Sequence, residues 1–502
     1  MDPHSWSETA LPDPRTRVEL QRQVVAQLEP LLPPGALLYQ PEATGPFECD
    51  GLMVYRQRPL AVALPEHDSQ LAAVLRACHA LRVPVVARGA GTGLSGGATP
   101  HPLAVVVGLN KFNRILRIDP LARIAVVQAG VRNLAISEAV ARYGLFYAPD
   151  PSSQIACTIG GNVAENAGGV RCLKYGLTLH NVLRIRGFTI EGEPFELGSE
   201  ACDSPGLDLL ALFVGSEGML GVATEITVRL APRPQTARCI MASFDDLRKA
   251  ADAVARIVAA AIMPAGLEMM DKPMIAAAEA FVHAGYDLNA EAILLCESDG
   301  TEDEVAEEIE RMRDVLLQAG ATRIEVSRGE AQRLRFWSGR KNAFPASGRI
   351  SPDYICMDST IPRKRLADML LAIKQMEHDH GLRCVNVFHA GDGNLHPLIL
   401  FDATAPGELE RAEAFGAEIL ETSVRLGGTI TGEHGVGLEK LNSMCVQFSP
   451  EERNQLLAVK TAFDPYGLLN PGKVIPTLHR CAEHGRMHVH KGLLPFPHLP
   501  RF

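Results

Sequence analysis

The sequence lacks the motifs that would place it in several common classes of protein. Its eleven cysteines include no CxxC pair, which disfavours an iron–sulfur ligand set, and their odd number favours reduced buried thiols over a disulfide framework. It has no basic block and carries a net charge of −10, so nucleic acid is not expected as its main ligand. Its most apolar stretch, 250–270, is interrupted by Asp252, Arg256, Pro264 and Glu268, and therefore predicts a buried helix followed by a strand, not a membrane span.

A secretory signal is also missing from the first twenty residues, where no cationic segment precedes an apolar one, so we expect a cytoplasmic protein. The length of 502 residues exceeds the size at which a single hydrophobic core stops growing, which predicts two or more domains. We divide the chain into a helical segment 1–55, a nucleotide-binding domain 56–234, a substrate or cap domain 235–448, and a C-terminal segment 449–502.

Strand and helix signals alternate along the chain and predict an α+β fold. In the first domain we expect a helix over 69–83 and strands at 60–64, 84–89, 104–108, 115–118 and 124–128. In the second domain we expect strands at 239–243, 292–296, 354–358 and 383–388, and helices at 245–262, 302–319, 364–379 and 408–426.

A glycine-rich segment, VVARGAGTGLSGG at 85–97, directly follows an apolar strand. Glycine allows positive φ and close approach of the backbone, so successive N–H groups can converge on an anion, and the hydroxyls of Thr92 and Ser95 add donors. This pattern predicts a pyrophosphate cradle. The segment leads into a loop and a strand instead of a helix, which disfavours the dinucleotide site of a Rossmann fold.

Two further glycine-containing segments strengthen this prediction. The segment 149–176 carries two GG pairs with Asn162 and Asn166 between them, which gives a second backbone wall with side chains able to hydrogen-bond a heterocycle. The segment 215–230 adds a turn of small residues before an amphipathic strand. Three such loops predict a large, extended ligand.

Two histidines flank a predicted hairpin in CVNVFHAGDGNLHPLILF at 384–401. An Asp-Gly pair between apolar strands is typical of a two-residue hairpin turn. With Asp392 and Gly393 in that turn, His389 faces His396, and their Cβ atoms are about 5 Å apart. Two imidazoles in this arrangement can bind one divalent metal.

The segment TGEHGVG at 431–437 places a carboxylate beside an imidazole. Adjacent side chains of an extended chain point in opposite directions. Either Glu433 therefore completes a site of two histidines and one carboxylate while His434 faces the substrate, or the reverse. Three protein ligands leave an open coordination position, which is typical of a catalytic metal.

A cationic segment, RFWSGRKNAF at 335–344, precedes an apolar stretch. We expect Arg340 to bind a substrate carboxylate, because a guanidinium meets a carboxylate bidentately and stays charged, and we expect Lys341 to assist. A solvated basic face of a helix is the alternative for both residues.

The three glycine-containing segments resemble the FAD-binding domain of the vanillyl-alcohol oxidase superfamily, and their order and spacing match over essentially the whole chain. The resemblance implies a FAD-binding domain of two subdomains with an α+β, ferredoxin-like substrate cap, and a C-terminal segment that returns to the flavin. We expect the FAD to be held without a covalent bond, because 88–97 contains neither His nor Cys and Cys157 or Cys172 would be an atypical anchor. The residues that the resemblance assigns to FAD are Arg88, Gly89, Gly91, Thr92, Gly93, Ser95, Gly96, Pro149, Ser152, Thr158, Gly160, Gly161, Asn162, Gly168, Glu217, Gly218, Gly221, Val222 and Asn470.

The histidine motifs resemble the D-2-hydroxy acid dehydrogenase branch of this superfamily. That branch includes D-lactate and D-2-hydroxyglutarate dehydrogenases and, as the most similar group, the FAD-containing subunits of bacterial glycolate oxidases. The resemblance implies that His389, His396 and Glu433 bind a divalent metal, with zinc expected and manganese or iron as alternatives, and that His434 is the base. It implies FAD-dependent oxidation of a small 2-hydroxy acid, glycolate or D-lactate, and Phe344 favours a small substrate.

The chain carries no nicotinamide or iron–sulfur motif, so we expect electrons to pass to partner subunits, including an iron–sulfur subunit, and from them to quinone. Peripheral membrane association would then occur through those partners. The alternatives are a D-lactate or D-2-hydroxyglutarate dehydrogenase, a transferase similar to the FAD-containing alkyl-dihydroxyacetonephosphate synthase, and a non-catalytic flavin subunit. The histidine-containing tail, 479–502, fits no zinc spacing and is predicted to bind a partner or to be loosely ordered.

Overall fold

The structure is a computed structural model that describes residues 14–201 and 206–476. The tail 479–502, for which the sequence predicts partner binding or loose order and no metal site, lies outside these ranges. Within them, no helix is both long enough and apolar enough to cross a membrane. The apolar stretch 250–270 forms a buried helix followed by a strand, as predicted.

The first part of the chain contains two sheets. The strands of this part are β1 Leu37–Leu38, β2 Ala61–Ala63, β3 Val85–Arg88, β4 Val105–Gly108, β5 Ile115–Asp119, β6 Ile124–Gln128, β7 Leu145–Phe146, β8 Val182–Phe188, β9 Pro194–Gly198, β10 Val222–Arg229 and β11 Ala231–Pro232. Its helices are α1 Pro14–Leu28, α2 Pro41–Thr44, α3 Asp68–Leu81, α4 Asn133–Val140, α5 Ile159–Glu165, α6 Cys172–Tyr175, α7 Thr178–Asn181 and α8 Leu209–Phe213. The strands and the helix predicted between 60 and 128 are confirmed.

The first sheet has the order β1-β2-β4-β3, with β2, β4 and β3 parallel. The helix α3 crosses between its strands because Leu71, Val74, Leu75 and Cys78 recur at helical spacing and are all buried. The second sheet, β5-β6-β10-β8-β9, is antiparallel. The first glycine-rich loop leaves the first sheet at the end of β3, and the third precedes β10.

The second part of the chain is built around a seven-stranded sheet. Its strands, together with two short strands that pair with each other, are β12 Thr236–Phe244, β13 Gly266–Asp271, β14 Ala292–Gly300, β15 Arg323–Val326, β16 Asp353–Cys356, β17 Ser359–Thr360, β18 Arg383–Phe388, β19 Asn394–Leu395 and β20 Pro397–Phe401. The helices are α9 Leu247–Ala259, α10 Lys272–Val282, α11 Glu302–Gln318, α12 Glu330–Lys341, α13 Ala343–Ser347, α14 Leu366–His380, α15 Glu408–Arg425, α16 Met444–Gln447 and α17 Pro450–Phe463.

The sheet order β15-β12-β14-β13-β18-β20-β16 contains a ferredoxin-like unit. The strands β12, β13, β14 and β15, with α9 and α11 as crossover helices, have the order 4-1-3-2 of that unit, and α10 is inserted between its second and third strands. Adjacent residues of a strand point to opposite faces of the sheet. Ile240 and Met241 of β12 belong to two different hydrophobic clusters, so both faces of the sheet are covered. The predicted α+β class with a ferredoxin-like second part is confirmed.

Two sets of contacts join the parts. Asp299, fully buried at the end of β14, accepts hydrogen bonds from the side chains of Tyr175 at 2.9 Å and Lys174 at 2.7 Å, and Arg171 lies 3.2 Å away. The C-terminal segment pairs with β3, where the Asn470 backbone nitrogen donates to the Val85 carbonyl at 2.8 Å. These contacts bring the glycine-containing loops against the hairpin of the second part.

Candidate active site

One cavity lies where the glycine-containing loops of the first part meet the hairpin and the 431–437 segment of the second part. Phe344, His396, Glu433 and His434 line it from the second part. The predicted FAD residues that line the same cavity are Arg88, Gly89, Gly91, Thr92, Gly93, Ser152, Thr158, Gly160, Gly161, Asn162, Glu217, Gly218, Gly221 and Val222.

The other five residues assigned to FAD, Ser95, Gly96, Pro149, Gly168 and Asn470, are not among the residues that line the cavity. The side-chain amide of Asn470 donates to the carbonyls of Gly97 at 3.1 Å and Glu217 at 2.7 Å, which ties the first loop to the third. The Ser95 carbonyl accepts from the backbone nitrogen of Leu438 at 2.9 Å. A Cβ atom added at Gly96 would lie 3.1 Å from Leu438, and one added at Gly168 would collide with Glu433. The Pro149 carbonyl accepts from Asn133.

The glycines of the loops allow backbone segments to approach each other closely. At Gly89, a Cβ atom would strike the hydroxyl of Thr158, and at Gly91, where φ is +70°, it would strike the guanidinium of Arg88. Arg88 is itself held by a hydrogen bond from Nη1 to the Cys49 carbonyl at 2.8 Å. The cavity is therefore bounded by backbone over much of its length, which fits an extended ligand with a phosphate end and a heterocyclic end, such as FAD.

The hairpin differs in register from the prediction. The sequence predicts a two-residue turn with His389 facing His396, but His389 pairs with Asn394 and Asn386 pairs with Pro397, so the loop contains 390–393. The predicted register was therefore wrong by two residues. Because side chains alternate with a period of two, this shift leaves both histidines on one face, with ring centroids 5.0 Å apart.

Glu433 joins the two histidines. Its Oε1 lies 3.2 Å from Nε2 of His389 and 3.1 Å from Nε2 of His396. Nε2 of His396 is buried and makes no hydrogen bond within the described part of the chain. One ligand atom from each of the three residues falls within 4.8 Å of the others. Two imidazoles and one carboxylate around a common point are a donor set that fits a divalent metal.

His434 lies on the other side of His396, and their rings stack at a centroid distance of 4.9 Å and an angle of 7°. Burial lowers the pKa of His434 to about 4, although the nearby Asp358 carboxylate opposes this. In contrast, Glu268 and Glu433 outweigh the effect of burial at His389 and raise its pKa to about 10. His434 is therefore a neutral imidazole at pH 7, which is the form that accepts a proton.

Sequence reasoning missed Asp358, which holds the 431–434 segment. Its Oδ2 accepts from the backbone nitrogens of Gly432 at 2.8 Å and His434 at 3.0 Å, and from Lys440 Nζ at 3.1 Å. Burial alone would raise the pKa of Asp358, but Lys440 and His434 hold it well below its usual range. The available signal was an aspartate at the end of the strand predicted at 354–358, two residues after the observed end of β16.

Sequence reasoning also missed the role of Glu268. It noted this residue only as a charge that interrupts an apolar stretch, although a carboxylate in the middle of a buried strand needs partners. Oε1 of Glu268 lies 2.7 Å from Nδ1 of His389, and Oε2 accepts from Nε of Arg340 at 2.6 Å. Burial would raise the pKa of Glu268, but His389 and Arg340 keep it below its usual value.

The structure separates the two predicted cations. Arg340 is buried, and its Nη2 has no hydrogen-bond partner within 14–201 and 206–476. Lys341, the next residue of α12, has an exposed side chain, and neither of the two cations is among the residues that line the cavity. Glu268 therefore links Arg340 to His389 of the histidine pair, and the side chain of Lys341 has no such link in the described part of the structure. Phe344 packs edge-on against His396 at 6.4 Å between ring centroids.

Two glutamates that line the cavity are close to Gly435. Glu217 accepts from the backbone nitrogens of Val436 at 2.6 Å and Gly437 at 2.8 Å. Oε2 of Glu165 is buried and lacks a hydrogen-bond partner among the residues that the structure describes. Burial, with added repulsion from Glu217 and Asp50, raises the pKa of Glu165 well above its usual value. The resemblance had assigned Glu217 to FAD, but Glu165 was not predicted.

Comparison with known proteins gives matches over most of the chain. Residues 59–198 match the family model described as FAD binding domain, and 233–474 match FAD linked oxidases, C-terminal domain. The chain is 61% identical to glycolate oxidase subunit GlcD of Escherichia coli K12 over 98% of both chains. It is 32% identical to a D-lactate dehydrogenase of Anaerostipes hadrus, over 88% of this chain and 95% of that one.

The fold is similar to that of solved flavoenzyme structures. The 4-ethylphenol oxidase of Gulosibacter chungangensis superposes with a TM-score of 0.76 at 19% identity, covering 92% of this chain and 98% of that one. This likeness confirms the predicted vanillyl-alcohol-oxidase-type fold. The domain matches show FAD as the cofactor, and together with the sequence relatives they show that the chain belongs to the family of FAD-linked oxidases.

Proposed function

We propose that this enzyme oxidises a small 2-hydroxy acid, glycolate in preference to D-lactate, to the corresponding 2-oxo acid. The observation that carries the proposal is the position of His434, which stacks on His396 beside the group His389, His396 and Glu433, in the cavity lined by the FAD residues. The proposed proton acceptor therefore lies next to the proposed cation site, and both adjoin the cavity proposed to bind the flavin. The similarity to a glycolate oxidase subunit at 61% identity, against 32% for a D-lactate dehydrogenase, favours glycolate.

We assign the cation site to a divalent metal, zinc before manganese or iron, held by His389, His396 and Glu433. Such a metal would bind the 2-hydroxyl and lower its pKa. Glu433 and the two histidines would fix the position of the metal and thereby that of the hydroxyl, and the neutral imidazole of His434 takes the proton of the hydroxyl. The FAD, held without a covalent bond, supplies the acceptor for the hydride of C2.

Arg340 is the proposed partner of the substrate carboxylate. Its Nη2, buried and without a hydrogen-bond partner in the described ranges, is a charged donor that still has capacity for an anion. Arg340 does not itself line the cavity and is connected to it through Glu268, whereas Phe344 lines the cavity and limits the length of substrate that fits beside His396. Lys341, which was predicted to assist Arg340, is the next residue of α12 and is exposed.

We further propose that electrons leave to partner subunits, including an iron–sulfur subunit, and from there to quinone, with the assembly in the cytoplasm at the inner face of the membrane. The Escherichia coli relative is a subunit of glycolate oxidase, which supports a multi-subunit assembly. A transferase similar to alkyl-dihydroxyacetonephosphate synthase is disfavoured, because the relatives at 61% and 32% identity are an oxidase subunit and a dehydrogenase.

The test is an anaerobic spectral titration of the FAD-loaded protein with glycolate and with the D and L forms of lactate. We expect glycolate to bleach the flavin absorbance, D-lactate to do so less efficiently, and L-lactate to have no effect. His434→Ala should retain FAD and lose bleaching, whereas His378→Ala, which changes an exposed histidine of α14, should behave as wild type. Bleaching by glycolate in His434→Ala at the wild-type rate would contradict the proposal.

A further inference from the structure

Glu268 connects two functional groups that lie far apart in the sequence. It lies in β13 with its side chain fully enclosed, 1% exposed. Each of its carboxylate oxygens has a different partner: Oε1 meets Nδ1 of His389 at 2.7 Å, and Oε2 meets Nε of Arg340 at 2.6 Å. One carboxylate therefore contacts both a proposed metal ligand and the proposed substrate-binding cation.

The chemistry of these contacts fixes where the protons lie. Arginine has only N–H donors, so Oε2 of Glu268 accepts from Nε of Arg340. An ionised carboxylate only accepts, so Nδ1 of His389 must carry the proton that it shares with Oε1. A histidine that binds a metal is in its neutral form, and in that form a proton on Nδ1 leaves a lone pair on Nε2. That nitrogen is the one that faces Glu433, at 3.2 Å from Oε1.

We propose that Glu268 is a positioning residue that holds His389 in the tautomer whose Nε2 binds the metal and, with its other oxygen, holds Arg340 in place for the substrate. A carboxylate behind a metal-bound histidine orients the ring and increases its strength as a ligand. The bond to Nε of Arg340 leaves Nη2, which has no other hydrogen-bond partner in the described part of the chain, for an anion. This inference rests on the metal site of the proposed function.

Glu268→Gln tests the proposal because glutamine keeps the size of the side chain but offers one acceptor and one donor. Its oxygen must face Arg340, which only donates, so its NH2 group faces Nδ1 of His389. Nδ1 must then accept, and the proton of the neutral ring moves to Nε2, where it blocks the ligand atom. We expect the affinity for Zn²⁺ to fall about 10- to 100-fold, with FAD content unchanged.

Glu268→Asp distinguishes a role of Glu268 in positioning His389 from a role in filling space in the core. Aspartate is shorter and leaves a void, but it keeps two acceptors, so Nδ1 can stay protonated. If Glu268 only filled space, glutamine would be tolerated better than aspartate. If it sets the tautomer of His389, aspartate should bind Zn²⁺ more tightly than glutamine does.

Glu297→Gln is the matched control. Glu297 lies on the neighbouring strand β14, pairs in register with Gly266, and is 4% exposed. Its carboxylate accepts from Arg333 at 2.6 Å and from Trp337 at 2.5 Å. The variant therefore removes a buried carboxylate from the same sheet, but this carboxylate is hydrogen-bonded to Arg333 and Trp337 and not to His389. Glu297→Gln should bind Zn²⁺ as wild type does.

The measurement is a titration of the chelator-treated, FAD-containing proteins with Zn²⁺ in competition with a chromophoric indicator. Weak binding in Glu268→Gln, partial recovery in Glu268→Asp and wild-type binding in Glu297→Gln would support the inference. Wild-type affinity in Glu268→Gln, or weaker binding in Glu268→Asp than in Glu268→Gln, would overturn it while leaving the metal site intact. A wild-type protein that takes up no Zn²⁺ would overturn the metal site and this inference together.

Discussion

Asp358 holds His434 through its backbone, since Oδ2 of the carboxylate lies 3.0 Å from the backbone nitrogen of His434. The same oxygen accepts from Gly432 and from the hydroxyl of Thr431, each at 2.8 Å. A single buried carboxylate therefore fixes the segment that carries both the proposed base and the proposed metal ligand Glu433. The direction of two adjacent side chains depends on a residue more than seventy positions earlier in the chain.

Asp358→Asn should lower kcat strongly while FAD stays bound. The amide offers one acceptor where the carboxylate accepts from several donors, and hydrogen bonds to a charged group are worth about 1.5–3 kcal/mol each. We expect a fall in kcat of about 100-fold, the usual effect of a small misplacement of catalytic groups. The measurement is glycolate-dependent dye reduction, with FAD content measured from its absorbance. Thr431→Val removes one of these bonds and should cost much less, and equal kcat values for Asp358→Asn and wild type would contradict this role.

Gly435→Ala should damage both the fold and the activity. The φ angle of Gly435 is +82°, and an added Cβ would collide with Oε2 of Glu165 and lie 2.9 Å from Oε1 of Glu217. Gly407 provides the control, because its φ is +78° but a Cβ there would meet no atom within 4 Å. Both variants should lose about 1 kcal/mol of stability from backbone strain.

Only Gly435→Ala should also lose activity, by about 10-fold or more, because only it displaces groups that line the flavin cavity. Thermal unfolding measures the loss of stability from backbone strain, which is expected in both variants. The kcat with glycolate measures the loss of activity, which is expected only in Gly435→Ala. Equal losses of kcat in the two variants would show that the contacts with Glu165 and Glu217 are unimportant.

The elements of the fold were largely predictable because their signals are local. The spacing of Leu71, Val74, Leu75 and Cys78 identifies α3, and the apolar run before the glycine-rich segment identifies β3. The histidine pair was also predictable despite the wrong register. An error of two residues preserves the face of a strand, whereas an error of one would have placed the histidines on opposite faces.

The residues behind the site were not predictable for a physical reason. Glu268 and His389 are separated by 121 positions and Glu268 and Arg340 by 72, and the order of strands that brings them together is not encoded in any local pattern. A buried carboxylate in an apolar strand indicates that a partner exists but not which residue it is. For the same reason, the sequence left open which member of the Glu433–His434 pair meets the two histidines.

Glu165→Gln should stabilise the protein at pH 8 more than at pH 4.5. The groups that act on Glu165 are Glu217 and Asp50, which add to the effect of burial and raise its pKa, and Lys440 and Lys473, which oppose it. Because the pKa is raised on folding, the folded state keeps a proton that the unfolded state releases. The cost of burying this carboxyl is therefore small at pH 4.5, the usual pKa of glutamate, and grows as pH rises through the folded pKa.

Thermal unfolding of wild type and Glu165→Gln across this pH range measures the effect. The difference in Tm, variant minus wild type, should increase with pH. The wild type is destabilised as pH rises because Glu165 is buried, whereas the glutamine of the variant does not titrate. Glu410→Gln changes the charge by the same amount on the exposed face of α15 and should show no such increase. A difference in Tm for Glu165→Gln that is independent of pH would exclude a raised pKa at this residue.

Arg340→Lys should raise KM for glycolate by about 10- to 100-fold and change kcat less. Lysine keeps the positive charge, but it has one ammonium group where arginine has Nε and two Nη atoms. A single ammonium cannot hydrogen-bond Glu268 and also present a second donor in a fixed position to the substrate carboxylate. A charge-assisted hydrogen bond is worth about 1.5–3 kcal/mol, which corresponds to this change in KM. Steady-state kinetics with glycolate give both constants.

Lys341→Met is the comparison that decides between the two adjacent cations. Lys341 is exposed on α12, whereas Arg340 is 3% exposed and in contact with Glu268. If the substrate carboxylate is bound by the buried guanidinium, Lys341→Met should leave KM within about two-fold of wild type, as expected for an exposed charge. If Lys341→Met instead raised KM as much as Arg340→Lys does, substrate binding would depend on both cations, and the assignment of the carboxylate to Arg340 alone would be wrong.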